Sequence, residues 1–150
     1  MATNQGRFAI RGKTHRSIRI RTHQDISMDA ILSPMALSTT SRLLKTLGDE
    51  TRLRILNLLR KGELSVGELQ EVLNMGQSRI STQLTHLKEV GVLAHRKAGR
   101  RSFYSLCTCR SLALIVQVLD DADLVDEFRA DDSGYQGAME KRRQEARSYF

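Results

Sequence analysis

The stretch Gln77-Ser78-Arg79-Ile80-Ser81-Thr82-Gln83-Leu84-Thr85 holds the side chains best suited to chemistry with another molecule. Its apolar residues Ile80, Leu84 and, further on, Leu87 are spaced by four and three. This spacing predicts one buried face of a helix running from Gln77 to about Val90. The other face then presents Ser78, Arg79, Thr82 and Thr85, with Gln77 and Ser81 beside them. Short polar side chains let a helix approach the floor of a DNA major groove, and an arginine can grip guanine through two hydrogen bonds. An ordinary amphipathic surface helix would show the same pattern, so the elements around it have to decide.

Immediately downstream the period changes. Val92-Leu93 and Phe103-Tyr104-Ser105-Leu106 read as strands flanking Lys97-Ala98-Gly99-Arg100-Arg101, a turn-forming tip. A cationic hairpin behind such a helix is a wing. Its Arg96, Lys97, Arg100 and Arg101 would lie along phosphates or reach into the minor groove. Beyond it stand the two cysteines, Cys107 and Cys109. A Cys-x-Cys pair can respond to oxidants or bind a soft metal, but it supplies only two of zinc's usual four ligands. Alternate residues of an extended strand end sit roughly 6–7 Å apart, which disfavours a disulfide between them. Structural or incidental cysteines are the expectation, with thiol sensing by Cys107 and Cys109 as the sharper alternative. His86 and His95 form no recognisable constellation with a carboxylate, serine or cysteine. No catalytic site, metal site or cofactor is therefore expected, and the chain does not read as an enzyme.

The elements that must position these groups are mostly helical. Leu43, Leu44 and Leu47 give a short apolar face ending at Gly48, and Asp49 suits the N-cap of the next helix, which is apolar at Leu53, Ile55, Leu56, Leu58 and Leu59. Ser65 with Glu68 three residues on is a capping box for a third helix that ends near Asn74. After the hairpin, Leu112, Ile115, Val116, Leu119 and Ala122 recur at helical spacing, continued by Val125 and Phe128. So apolar a helix beside a small core predicts a dimer seam through Leu112, Ile115, Val116 and Leu119, with Leu43 and Leu44 of the first helix helping. Packing within one chain is the alternative. The fold class is mostly α with a small β-hairpin: a winged helix-turn-helix, α-α-α-α-β-β-α, dimeric through its terminal helices.

Charge divides the 150 residues further. The net charge is +7, yet residues 1–24 hold six bases and no acid, so the remaining 126 carry only +1. Between Gly76 and Ser105 six bases face one acid, whereas from Leu106 onward nine acids face six bases. A basic segment within a near-neutral domain fits a nucleic-acid face. The expected division is a basic, flexible arm at 1–34, a DNA-binding and dimerisation domain at 35–128, and a charged, partly helical tail at 129–150 after a break at Asp131-Asp132-Ser133-Gly134. No apolar run approaches the roughly 18 residues of a membrane span. The basic N-terminus has no apolar core behind it, so it is not a secretory signal. A cytoplasmic location is expected.

With these residues in place, the chain resembles the ArsR/SmtB family of winged-helix repressors over about Met35 to Leu119. The marks are Leu47-Gly48-Asp49-Glu50-Thr51-Arg52-Leu53-Arg54-Ile55-Leu56, then Glu63-Leu64-Ser65-Val66-Gly67-Glu68-Leu69, then Gln77 to Leu84, Leu87 to Leu93, and Gly99-Arg100 followed by Phe103-Tyr104. The resemblance implies a homodimeric repressor of double-stranded DNA. Where the family's arsenic- and cadmium-type sensors have Cys-x-Cys, this chain has Ser65 and Gly67, which offer no thiolates. It also has no histidine after His95 for the zinc site of the last helix, and Gln83 stands where many members have histidine. Residues Ala138 to Phe150 resemble the linker to an S-adenosylmethionine-dependent methyltransferase in fused members. A module that docks a methyltransferase partner is therefore the alternative function.

Overall fold

The computed structural model describes residues 36–121 and 126–148. The N-terminal arm at 1–34 lies outside these residues, as do Ala122 and Val125. Helix α1 (Leu37–Leu47) leads into α2 (Glu50–Lys61), strand β1 (Leu64–Ser65), α3 (Val66–Leu73), α4 (Gln77–Glu89), β2 (Leu93–Ala98), β3 (Arg101–Leu106), α5 (Leu112–Asp121) and α6 (Asp126–Arg147).

Local chemistry sets most of these boundaries. The Asp49 carboxylate accepts the Arg52 backbone N–H at 3.0 Å and so starts α2. At α3, Ser65 Oγ accepts the Glu68 N–H while Glu68 Oε2 accepts the Ser65 N–H at 2.7 Å, a complete capping box. Asn74 ends α3 in the left-handed region, at φ 51°. This is the conformation asparagine tolerates best after glycine, and it turns the chain into α4. Gly99 at φ +59° makes the tight turn between β2 and β3.

The sheet order is β1-β3-β2, all antiparallel, with Leu64 opposite Tyr104 and Leu93 opposite Leu106. The sequence shows the hairpin but not β1. Two residues carry no periodicity, and their pairing with β3 spans some forty positions. The core gathers Ile55, Leu56 and Leu58 of α2, Leu69 of α3, Ile80 and Leu87 of α4, and Ile115 and Leu119 of α5, all fully buried.

Two expectations are corrected here. The break at Asp131–Gly134 does not occur, because α6 runs through it and packs along α2 and α3. Asp131 is buried against Arg54, and a Cβ on Gly134 would come within 3.1 Å of Val72 Cγ1, so the glycine lets the two helices approach. The dimer seam is also redrawn. Leu43, Ile115 and Leu119 are core residues of the single chain, and Leu112 and Val116 are half-buried. The apolar side chains left outside are Leu37 and Leu44 on α1 and Leu114 and Val118 on α5.

One buried group has no local partner. Asn57 on α2 is fully enclosed, and neither its Oδ1 nor its Nδ2 makes a hydrogen bond. Each unpaired polar atom costs desolvation without return. Asn57→Leu, close in size and apolar, is expected to raise stability by about 1–3 kcal/mol. Thermal unfolding checks this; a lowered midpoint would mean that the amide is satisfied in solution.

Candidate nucleic-acid interface

All six side chains expected on the reading face of α4 are exposed: Gln77, Ser78, Arg79, Ser81, Thr82 and Thr85. The two threonines are not free donors. Thr82 Oγ1 donates to the Ser78 carbonyl and Thr85 Oγ1 to the Ser81 carbonyl, each at 2.9 Å. What they offer outward is a methyl group and acceptor lone pairs, suited to a thymine methyl or a base amino group.

The N-terminus of α2 holds α4 in place. Arg79 Nη2 donates to Thr51 Oγ1 at 3.0 Å, and Thr51 is itself buried. One turn further along α4, Gln83 Oε1 accepts from Arg52 Nη1 at 2.9 Å, while Arg52 Nε donates to the Thr46 carbonyl. Thr51 and Arg52 were visible in the sequence only as part of a family-like stretch. Their contacts with α4 are made about thirty residues away in sequence.

The wing differs in one respect from expectation. Lys97, Arg100 and Arg101 are exposed around the tip. Arg96 is instead committed to the body: its guanidinium forms a two-pronged pair with Glu63 and lies 4.9 Å over the Phe103 ring. The Glu63 pair holds the Arg96 charge in its cationic form, but that charge is already answered. A phosphate would have to displace a bidentate carboxylate to use it.

Helix α6 reaches the same region. Arg142 donates to both Glu68 carboxylate oxygens, at 2.8 and 2.5 Å, and to the Glu63 carbonyl at 3.2 Å, and lies 5.4 Å from the Phe103 ring centre. Burial alone would raise the Glu68 carboxyl. The hydrogen bonds from Arg142 and Ser65 outweigh it and hold the group below the usual carboxylate range. Between α3, α6 and the wing lies a cleft of about 590 Å³, lined among others by Gln77, Arg100, Arg101 and Lys141. The start of α4 and the tip of the wing thus share one concavity. Nothing local in the sequence reveals Lys141 and Arg142 as members of it, because that depends on α6 folding back.

Cys107 and Cys109 lie past the end of β3, and the Cys109 N–H donates to the Cys107 carbonyl at 2.8 Å. The segment is therefore a tight turn rather than the extended strand end expected. Burial pushes the Cys109 thiol up, away from the reactive thiolate. Among the described residues, no group of three or more His, Cys, Asp or Glu side chains could hold a metal ion. No described helix is long and apolar enough to cross a membrane.

A tri-helical core with an exposed polar helix and a basic hairpin defines a winged helix-turn-helix. Residues 49–94 match the model of the bacterial regulatory protein, arsR family. The HTH-type transcriptional regulator NmtR of Mycobacterium tuberculosis is 37% identical over 93 residues, covering 62% of this chain and 74% of that protein. The biofilm growth-associated repressor of Xylella fastidiosa is 37% identical over 75 residues; the match takes in half of this chain and 66% of that protein's length. Among solved structures, the homodimeric winged helix-turn-helix DNA-binding domain Mb0332 of Mycobacterium bovis superposes with a TM-score of 0.51 at 32% identity, covering 59% of this chain and 83% of that one. The chain belongs to the arsR family of bacterial regulatory proteins and carries that family's winged helix-turn-helix.

Proposed function

We propose that the protein is a homodimeric, sequence-specific transcriptional repressor that reads an imperfect palindrome. Helix α4 lies in the major groove, and Lys97, Arg100 and Arg101 hold the flanking backbone. The observation that carries this reading is the shared cleft. Gln77, which opens α4, and Arg100 and Arg101 of the wing line the same concavity, so one duplex can meet both. Selection from a pool of random duplexes is expected to return two half-sites about one helical turn apart, roughly 10 base pairs. Fluorescence anisotropy should then separate that duplex from its scrambled version at near-physiological salt. A pool that never converges would overturn the reading.

The second copy is expected to sit on α1 and α5. Leu44, Leu114 and Val118 remain 54%, 45% and 37% exposed, and the last two lie on one face of α5, four residues apart. Apolar groups of this size left exposed on α1 and α5 fit a self-complementary contact. The Mycobacterium bovis neighbour is described as homodimeric. Leu114→Glu combined with Val118→Glu is expected to give a folded monomer by light scattering and to weaken operator binding at least about tenfold, since a monomer grips one half-site. A dimer that persists would place the contact elsewhere.

Where the family's arsenic- and cadmium-type sensors have Cys-x-Cys, this chain has Ser65 and Gly67; Ser65 is the N-cap of α3, and its hydroxyl is spent on the capping box. The raised Cys109 thiol gives the Cys107–Cys109 pair little to recommend it as a sensor. Within Ala138 to Phe150, which resembles a linker, the part that lies in α6 packs on α3 and beside the wing.

A further inference from the structure

We infer that helix α6 is a third DNA-contacting element, and that the cleft between α3, α6 and the wing seats backbone phosphates with Lys141 as the α6 contact. The inference rests on the DNA-reading function above and extends its footprint to a helix outside the helix-turn-helix and the wing.

Three observations carry it. The first is placement: a strand gripped by Gln77 on one side and by Arg100 and Arg101 on the other must pass the third wall, where Lys141 and Glu145 stand. The second is charge. Four bases (Arg100, Arg101, Lys141 and Arg142) and three acids (Glu68, Glu71 and Glu145) line the cleft; Glu71 and Glu145 act on Lys141 more strongly than Arg101 does, so the cations meet an anion once these carboxylates are displaced. Lys141 and Arg101 are each held by one carboxylate: Lys141 Nζ lies 2.6 Å from Glu71, and Arg101 Nη2 lies 3.8 Å from Glu145. All four side chains are about half exposed, so these pairs are weak and easily exchanged. A phosphate offers the same acceptor oxygens with more charge. Arg100 has no acidic partner among the described residues.

The third is that the α6 wall is fixed without Lys141. Arg142 clamps this end of the helix to Glu68 and to the Glu63 carbonyl, and Ala138 is buried one turn earlier. Lys141 is thus presented on a rigid support that does not need it. Glu71 and Glu145 then act as placeholders that keep the cations oriented and discourage loose binding to any duplex.

The test is the salt dependence of anisotropy-measured binding, run on the selected duplex and on a scrambled one. Lys141→Ala is expected to weaken both about equally and to reduce the steepness of log K against log salt by about two, one for each protomer of the dimer. Glu145→Gln and Glu71→Gln, which remove acid but leave the cations, are expected to tighten both several-fold. These two keep the test alive if Lys141→Ala disturbs the fold. Arg100→Ala on the wing is the reference. Loss of slope in Arg100→Ala with no change in the three cleft variants would overturn the α6 contact and leave the repressor reading intact. A wild-type protein that binds no duplex would overturn both.

Discussion

Asp131→Ala is expected to lower the thermal midpoint by roughly 10–20 °C, a loss of about 3 kcal/mol for a domain of this size. Its carboxylate is only 1% exposed and accepts two hydrogen bonds from Arg54, Nε at 2.8 Å and Nη2 at 2.7 Å. That bond in turn raises the Arg54 guanidinium further, against the burial that would lower it. Removing the carboxylate strands a cation that is 17% exposed. Breaking one side of a buried pair typically costs 3–5 kcal/mol, and residual contact with water argues for about the lower end. The pair also carries more than its own energy. Helix α6 is mostly polar, with Phe128 and Ala138 its only buried apolar residues among those described. Of the remaining ties, Lys61 to Asp132 and Lys141 to Glu71 are partly exposed and individually weak, which leaves the Arg142 clamp on Glu68 to hold the far end of the helix. Circular dichroism should therefore show helix lost ahead of the main transition. A double variant, Arg54→Leu with Asp131→Leu, is expected to recover most of the stability, because no charge is left unpaired. A midpoint unmoved in Asp131→Ala would mean that α6 is not docked in solution.

The same pair shows where reading the sequence stops. Asp49, Ser65 and Glu68 announce their helices because a cap is chemistry between residues three apart, and Ile80, Leu84 and Leu87 announce the buried face of α4 for the same local reason. The wing is legible from its turn glycine and its strands. Asp131-Asp132-Ser133-Gly134, by contrast, has the composition of a break. What makes it helical is Arg54 and Val72, some sixty to eighty residues away. Periodicity marked Ile115 and Leu119 as buried without saying against what. The structure buries them in their own chain and leaves Leu114 and Val118 outward. Arg96 is similar: its position on a basic hairpin suggests phosphate, and only the fold shows that Glu63 already pairs with it. Local signals gave the exposed polar face of α4. The tethers Thr51 and Arg52, and the α6 wall of the cleft, are products of long-range packing.

Arg79→Ala is expected to cut discrimination between the selected duplex and a scrambled one by roughly 1–3 kcal/mol, about five- to 150-fold, for each half-site, with a much smaller loss on the scrambled duplex. Arg79 is the one long cation in the first two turns of α4, among serines and threonines too short to keep the helix from the groove floor. Its guanidinium is already oriented, since one Nη2 proton is held by Thr51 Oγ1 at 3.0 Å. A guanidinium has five donors, so this bond can persist while others reach the N7 and O6 of a guanine. Orientation in advance spares part of the side-chain entropy that binding would otherwise cost. Thr51→Val, which keeps the shape and removes the acceptor, is therefore expected to give a several-fold loss of discrimination in the same direction, and Thr51→Ser to restore most of it. The pattern separates the roles. If Arg79→Ala weakens both duplexes equally, Arg79 binds phosphate and sequence must be read by Gln77, Ser78 or Ser81. If Arg79→Ala is selective but Thr51→Val is silent, the base contact stands and the tether contributes nothing to it.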